Sequence, residues 1–301
     1  MSIEKALEKA SLAESLGPAK RSNSIVDNQT ESTHTNDALD AFFLTDDNNG
    51  NAKAHSLDAG EKNIERFNWE FLHEHGFIDP SVGHMKIAEE FRSIKRPIMS
   101  NALGGIEKGI ERSNLILVTS SVPGEGKTFS AINLAISIAA ERDKQVLLID
   151  ADVAKPSVSR VLGIKRTPGL IEYLEGNKID FSDIILQTEI AGLRIVPAGK
   201  AHQFSTELLA SNKMINLSRE LSERYADRIV IFDSPPLLAA TQAEVLSSMV
   251  GQVILVIEAE KTAQNIVIEA VKKLESCDVV LALLNKTQRS MDMNYYGYGQ
   301  Y

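Results

Sequence analysis

A single cysteine, Cys277, stands in the 301-residue chain. That scarcity excludes an internal disulfide and any site built from several thiolates, iron–sulfur carriers included. The lone thiol reads as a small core residue, and the composition fits a reducing cytosol. Long apolar runs are also missing: none approaches the roughly 18 residues of a membrane-spanning helix. The opening residues 1–10 carry charges where a signal peptide needs an apolar stretch. A cytoplasmic protein is expected, brought to the inner face of a membrane only by a partner. Positive charge is scarce too, since 41 acidic residues outnumber 32 basic ones for a net charge of -9. No diffuse cationic field exists to hold a nucleic-acid backbone, so nucleic acid is not an expected partner. Hydrophobic residues, at 43%, still suffice for one or two globular domains.

The chain divides into three parts. Residues 1–62 hold a short amphipathic stretch (Ile3, Ala6, Leu7, Ala10) and then a linker rich in Ser, Thr, Asn, Asp and Gly, which is too polar to fold by itself. One apolar patch inside it, residues 38–44, reads as an incidental cluster before a docking segment. Residues 63–284 form the folded domain. Helices are expected over Asn63 to His75, stopped by Gly76, and over Met85 to Lys95, where Pro97 should end or kink the second. His73 and His75, two apart on a helix, face different ways and do not make a metal pair. From Asn114 onward, apolar β-branched runs alternate with amphipathic segments: Leu115 to Thr119, Val146 to Ile149, Leu193 to Val196, Ile229 to Phe232, Val253 to Ile257 and Val279 to Leu284. Most are apolar at consecutive positions, as strands buried on both faces of a parallel sheet are. The fold class is α/β, a doubly wound, mostly parallel sheet whose ligand lies beyond the carboxyl strand ends. Residues 285–301 form a tail.

Chemistry is concentrated just after the strands. Ser121-Val122-Pro123-Gly124-Glu125-Gly126-Lys127-Thr128, between the first strand and a helix opening at Phe129, is a phosphate-binding loop. Its glycines let successive N–H groups face a polyphosphate, Lys127 reaches the β- and γ-phosphates, and Thr128 offers a hydroxyl to Mg²⁺. ATP and Mg²⁺ are therefore the expected cofactors, with residues 123–129 lining the nucleotide. Asp150 and Asp152, two apart in an extended segment, share a face at the second strand's end. They read as a metal or base pair, or else as solvated acids capping the helix near Pro156. Asp233 follows four apolar residues and is the expected holder of the Mg²⁺ shell. Asn285, ending the last strand, either reads the base edge or is a turn asparagine. Tyr295, Tyr296, Tyr298 and Tyr301 crowd the last seven residues without apolar neighbours. They are either a sticky low-complexity tail or a set of phosphoryl acceptors.

Together these residues resemble the bacterial tyrosine autokinases of polysaccharide synthesis and export, in particular the exosortase-associated group. The Pro123 to Thr128 loop is similar to that family's Walker A motif, Asp150-Ala151-Asp152 to its A′ motif, Asp233-Ser234-Pro235-Pro236 to its Walker B, and the tail to its tyrosine cluster. The resemblance implies a P-loop domain related to the MinD/ParA ATPases and an ATP-dependent kinase that labels the tail of a neighbouring copy. It implies Lys127, Asp150 and Asp152 as catalytic residues, with Thr128, Asp152 and Asp233 on the metal and Asp150 polarising the tyrosine hydroxyl, or with Asp150 and Asp152 in exchanged roles. Glu89, Arg92 and Lys95 are similar to the family's Glu-x-x-Arg-x-x-Arg helix, which joins subunits into a ring. Lys95 replaces the second arginine and lacks its planar fork. A homo-oligomer, a separate membrane activator of the chain-length type and a cognate tyrosine phosphatase are the implied partners. The competing expectations are a MinD/ParA-like switch and a nucleotide-binding scaffold without kinase activity.

Overall fold

In the computed structural model the described residues are 64–287, apart from 83–84, 106, 165–167, 177 and 226–227. The expected N-terminal helix, the linker with its 38–44 patch, and all four tail tyrosines lie outside the described residues.

Seven strands make one sheet: β1 (Leu115–Ser120), β2 (Val146–Asp150), β3 (Leu186–Gln187), β4 (Leu193–Val196), β5 (Ile229–Asp233), β6 (Gln252–Glu258) and β7 (Val279–Asn285). Their spatial order is β3-β4-β2-β5-β1-β6-β7. All neighbours pair in parallel except β3 with β4. The antiparallel β3 was not expected, since two residues are too short to leave an apolar pattern. Nine α-helices are seen among the described residues, besides a 3₁₀ turn at Phe181–Ile184: α1 (Trp69–Glu74), α2 (Lys86–Gly104), α3 (Lys127–Ala139), α4 (Val158–Leu162), α5 (Leu170–Glu175), α6 (Ser205–Leu209), α7 (Asn212–Glu223), α8 (Gln242–Ser247) and α9 (Gln264–Lys272).

Consecutive apolar residues in the central strands feed two cores. Ile116, Val118, Leu148, Ile231 and Ile254 point to the face covered by α1 to α4. Leu115, Leu117, Ile149, Phe232 and Leu255 point to the face covered by α5 to α9. Each such side chain contributes about 1.5–3 kcal/mol on burial, so both helical layers are needed. The edge strand β7 departs from this scheme. Its residues alternate between half-buried and exposed, and Leu284 is 60% exposed.

Two helix expectations need correction. The first helix starts at Trp69, not Asn63. Upstream of it Glu65 bridges to Thr188, and Glu189 accepts hydrogen bonds from the Phe67 amide (2.7 Å) and the Trp69 indole (3.0 Å), while Asn68 caps the helix. Extended pairing to the β3 region thus wins over helical spacing. The second helix does not end near Pro97 but continues to Gly104. The lost backbone bond costs about 3 kcal/mol, and burial of Ile98, Met99 and Ala102 beyond the proline offsets it. The two histidines part company as expected: His73 meets Asp79 at 2.8 Å, and His75 meets the Phe71 carbonyl at 2.8 Å. Cys277 is half-buried against the α5–α9 core, where burial pushes its thiol pKa up.

Candidate active site

Register brings the acids together. Asp150 pairs across the sheet with Asp233, which in turn pairs with Val118 of β1. The loop from β1 to α3 rises from this same carboxyl edge. Its Gly124 and Gly126 adopt φ of +91° and +98°, a region costly for other residues. A Cβ on Gly126 would also stand 2.1 Å from Asn285 Nδ2. Glycine is therefore required there twice over.

Lys127 Nζ lies 2.7 Å from Asp152 Oδ2 and 3.6 Å from Asp233 Oδ1. The Thr128 hydroxyl donates to Asp233 Oδ2 at 2.7 Å. Burial works against the Lys127 ammonium, but Asp233 and then Asp152 outweigh it and hold its pKa above the ordinary value. Asp150 Oδ2 accepts hydrogen bonds from the Ser157 and Val158 amides, at 3.1 and 3.0 Å, at the start of α4. The helix-capping expectation is thus met, but Asp150 is fully buried and not solvated. Burial first, and the Asp233 charge second, push its pKa up to about 8. Burial likewise raises Asp233 to about 6, against the pull of Lys127 and the Thr128 hydroxyl.

Asp150 Oδ1 and Asp233 Oδ1 are buried without a hydrogen-bond partner. Two such oxygens, with the Thr128 hydroxyl on the other oxygen of Asp233, are hard donors of the kind Mg²⁺ takes. Among the described residues no three His, Cys, Asp or Glu converge into a metal shell by themselves.

Other expected positions divide. Pro123 and Gly124 are exposed at the loop's crest, and Glu125 is buried beneath it. The Phe129 side chain is a correction: its ring packs on Phe77 and Phe91, with centroids 5.1 and 6.4 Å away, and leaves only its backbone for a nucleotide. Asn285 does reach the site, yet its Nδ2 donates to the Glu125 carbonyl at 2.8 Å. Lys95 is the second correction. Its ammonium is buried, donates to the Ser137 carbonyl at 2.6 Å in the last turn of α3, and pairs with Glu141 at 2.8 Å. It braces the negative end of α3 and is not presented to a neighbour. Glu89 and Arg92 pair with each other on the exposed side of α2.

An AAA-domain family model matches residues 113–283, more than half of the chain. Tyrosine-protein kinase CpsD of Streptococcus agalactiae is 32% identical over 231 residues, covering 74% of this chain and 94% of that protein. The chain belongs to the bacterial tyrosine-kinase family. The solved kinase domain of Escherichia coli tyrosine kinase ETK superposes with a TM-score of 0.57 at 25% identity, over 76% of this chain and 97% of that one. Tyrosine-protein kinase ptk of Acinetobacter johnsonii is 35% identical over 181 residues, 60% of this chain, but the chain spans only 24% of its length.

For this member of the tyrosine-kinase family, sequence reasoning put Glu125 among the nucleotide-lining residues but missed two features. One is the Glu125 carboxylate, which accepts hydrogen bonds from the Val122 amide (2.8 Å), the Glu258 amide (3.3 Å) and the Thr262 hydroxyl. A charged residue between two loop glycines was the available signal. The other is Lys286, whose Nζ donates to the Gly124 carbonyl at 2.7 Å. Its place beside Asn285 at a carboxyl strand end was visible in the sequence.

Proposed function

We propose that the chain is an ATP-dependent protein-tyrosine kinase acting on Tyr295, Tyr296, Tyr298 and Tyr301 of a neighbouring copy. The observation that carries this reading is the arrangement of Lys127, Thr128, Asp150, Asp152 and Asp233 at one sheet edge, with an unpartnered carboxylate oxygen buried among them. The loop amides and Lys127 hold the β- and γ-phosphates; Asp152 aims the ammonium. Thr128 and Asp233 would hold Mg²⁺, which when bound neutralises charge on the transferring phosphate.

Asp150 is fixed by two amides through one oxygen, and its other oxygen, buried without a hydrogen-bond partner, would meet the phenol once the tail docks. The tyrosine Oη forms a bond to the γ-phosphorus, the bond to the bridging oxygen breaks, and ADP leaves with the electron pair. The phenol proton goes to the ionised form of Asp150, a stronger base than an ordinary aspartate because burial raises its pKa. Asn285 has its amide nitrogen committed to the loop, so its Oδ1 is left as an acceptor. That matches the amino group of adenine and opposes the O6 of guanine.

Among the described residues no helix is long and apolar enough to cross a membrane. A separate membrane activator of the chain-length type would therefore bring the kinase to the inner face of the plasma membrane, and a cognate phosphatase would reset the tail. The product then regulates polysaccharide synthesis or export. Mass spectrometry of the protein with Mg-ATP tests the reading. Phosphate on the four tail tyrosines, absent in Lys127→Met, is expected. ATP hydrolysis without tail phosphate would instead mark a MinD/ParA-like switch.

A further inference from the structure

Anion-binding loops work only while their N–H groups face the ligand, and each N–H shares a rigid, trans peptide plane with the preceding carbonyl. The Gly124 carbonyl and the Glu125 N–H form one such plane; the Glu125 carbonyl and the Gly126 N–H form the next. Between glycines, planes of this kind turn over easily, since φ is free in both directions. In this structure both carbonyls are held from behind. Lys286 Nζ donates to the Gly124 oxygen at 2.7 Å, and Asn285 Nδ2 donates to the Glu125 oxygen at 2.8 Å. Lys286 is itself aimed by Glu258, 3.1 Å away on the adjacent strand β6. It also adopts φ of 57°, an uncommon backbone state for lysine. Such a conformation persists where surrounding contacts over-determine it.

We propose that Lys286, with Asn285, is the positioning residue of the phosphate site: by holding two carbonyls turned outward it aims the Glu125 and Gly126 N–H groups at the nucleotide phosphates. Lys286 touches no reacting atom in this account. Its charge, placed behind the loop, adds to the pull on the anion. Because Lys286 is the second residue of the 285–301 segment, the phosphate site and the root of the tyrosine tail are tied to one side chain.

This inference rests on the loop binding a nucleotide, so the experiment measures that binding directly. Mg-ADP and Mg-AMP are titrated into the full chain and into Lys286→Met, Lys286→Arg and Asn285→Ala, and melting temperature is recorded for each. Lys286 is 46% exposed, and methionine preserves its stem, so folding should survive. Lys286→Met should weaken Mg-ADP about tenfold, the size expected for one lost hydrogen bond to a charged donor near the surface. Mg-AMP, which lacks the phosphate the loop cradles, should change far less, and Lys286→Arg should recover most of the loss. A role confined to stability would instead lower the melting temperature and weaken both nucleotides alike, and that result overturns the proposal. So does Mg-ADP affinity unchanged in Lys286→Met. Failure of the wild-type chain to bind Mg-ADP would sink the nucleotide reading itself, which is a separate outcome.

Discussion

Replacing Asp150 with asparagine should stabilise the nucleotide-free protein while stopping phosphoryl transfer. Asp150 is fully buried beside Asp233, and its pKa stands at about 8 against 3.8 for an ordinary aspartate. Between those values the folded chain keeps a proton that the unfolded chain has released. Stability therefore falls as pH rises through that window. A gap of roughly 4 units, at 1.36 kcal/mol each, sets a ceiling of about 5–6 kcal/mol on the cost at pH 8 and above. Asparagine escapes this cost, since it cannot ionise. Its Oδ1 can still accept from the Ser157 and Val158 amides. If relaxation leaves a third of the ceiling, the melting temperature should rise by about 4–8 °C at pH 8, at 2–4 °C per kcal/mol for a domain of this size. The gain should shrink steadily toward pH 4. Melting curves in EDTA without nucleotide, from pH 4.5 to 8.5, make the test. A variant that melts below wild type at pH 8, or by the same margin at pH 5 and pH 8, would refute the reasoning.

Thr128→Val should raise the Mg²⁺ concentration needed for half-maximal tail labelling by about tenfold, the effect of one lost charge-assisted bond; a Mg²⁺ titration with unchanged midpoint would remove Thr128 from the metal. Lys95→Met should cost about 1–3 kcal/mol in denaturant unfolding, because it leaves the Ser137 carbonyl and Glu141 without their donor. An unchanged midpoint with altered oligomer mass would place Lys95 back at an interface. Phosphorylation of the tail would add about 1.5–2 charges per tyrosine, roughly five to eight for three or four sites, and a docked tail would bring them against Asp150, Asp152 and Asp233. Light scattering should accordingly show Mg-ATP dispersing wild-type assemblies, and a variant with all four tail tyrosines changed to Phe should stay assembled.

The sheet and the acids were legible because each leaves a local mark. Consecutive apolar residues from Ile229 to Phe232 have no use outside a strand covered on both faces, and an aspartate straight after them has to reach the carboxyl edge. The Gly124 to Thr128 loop was legible for the same reason. What stayed hidden depends on contacts distant in sequence. Nothing near Asn63 reveals that Glu65 will pair with Thr188, or that Glu189 will claim the Phe67 and Trp69 donors. Nothing near Lys95 reveals the carbonyl of Ser137, 42 positions on. The resemblance to the Glu-x-x-Arg-x-x-Arg helix grouped Lys95 with Glu89 and Arg92, whereas its long stem reaches inward to α3. Lys286 escaped attention because its partner carbonyl lies 162 positions away, and a backbone acceptor has no residue type to announce it.

Transfer between copies is the claim on which the account turns, and a mixing experiment reaches it most directly. Lys127→Met with an intact tail supplies only acceptors. A second chain, with its four tail tyrosines changed to Phe and Lys127 retained, supplies only the catalytic site. Each alone should gain no tail phosphate in Mg-ATP. Mixed together, the Lys127→Met chain should become phosphorylated at Tyr295, Tyr296, Tyr298 and Tyr301, read by mass spectrometry of the tail peptide. A tail that stays unlabelled in the mixture, while wild-type chains label their own, would contradict transfer between subunits.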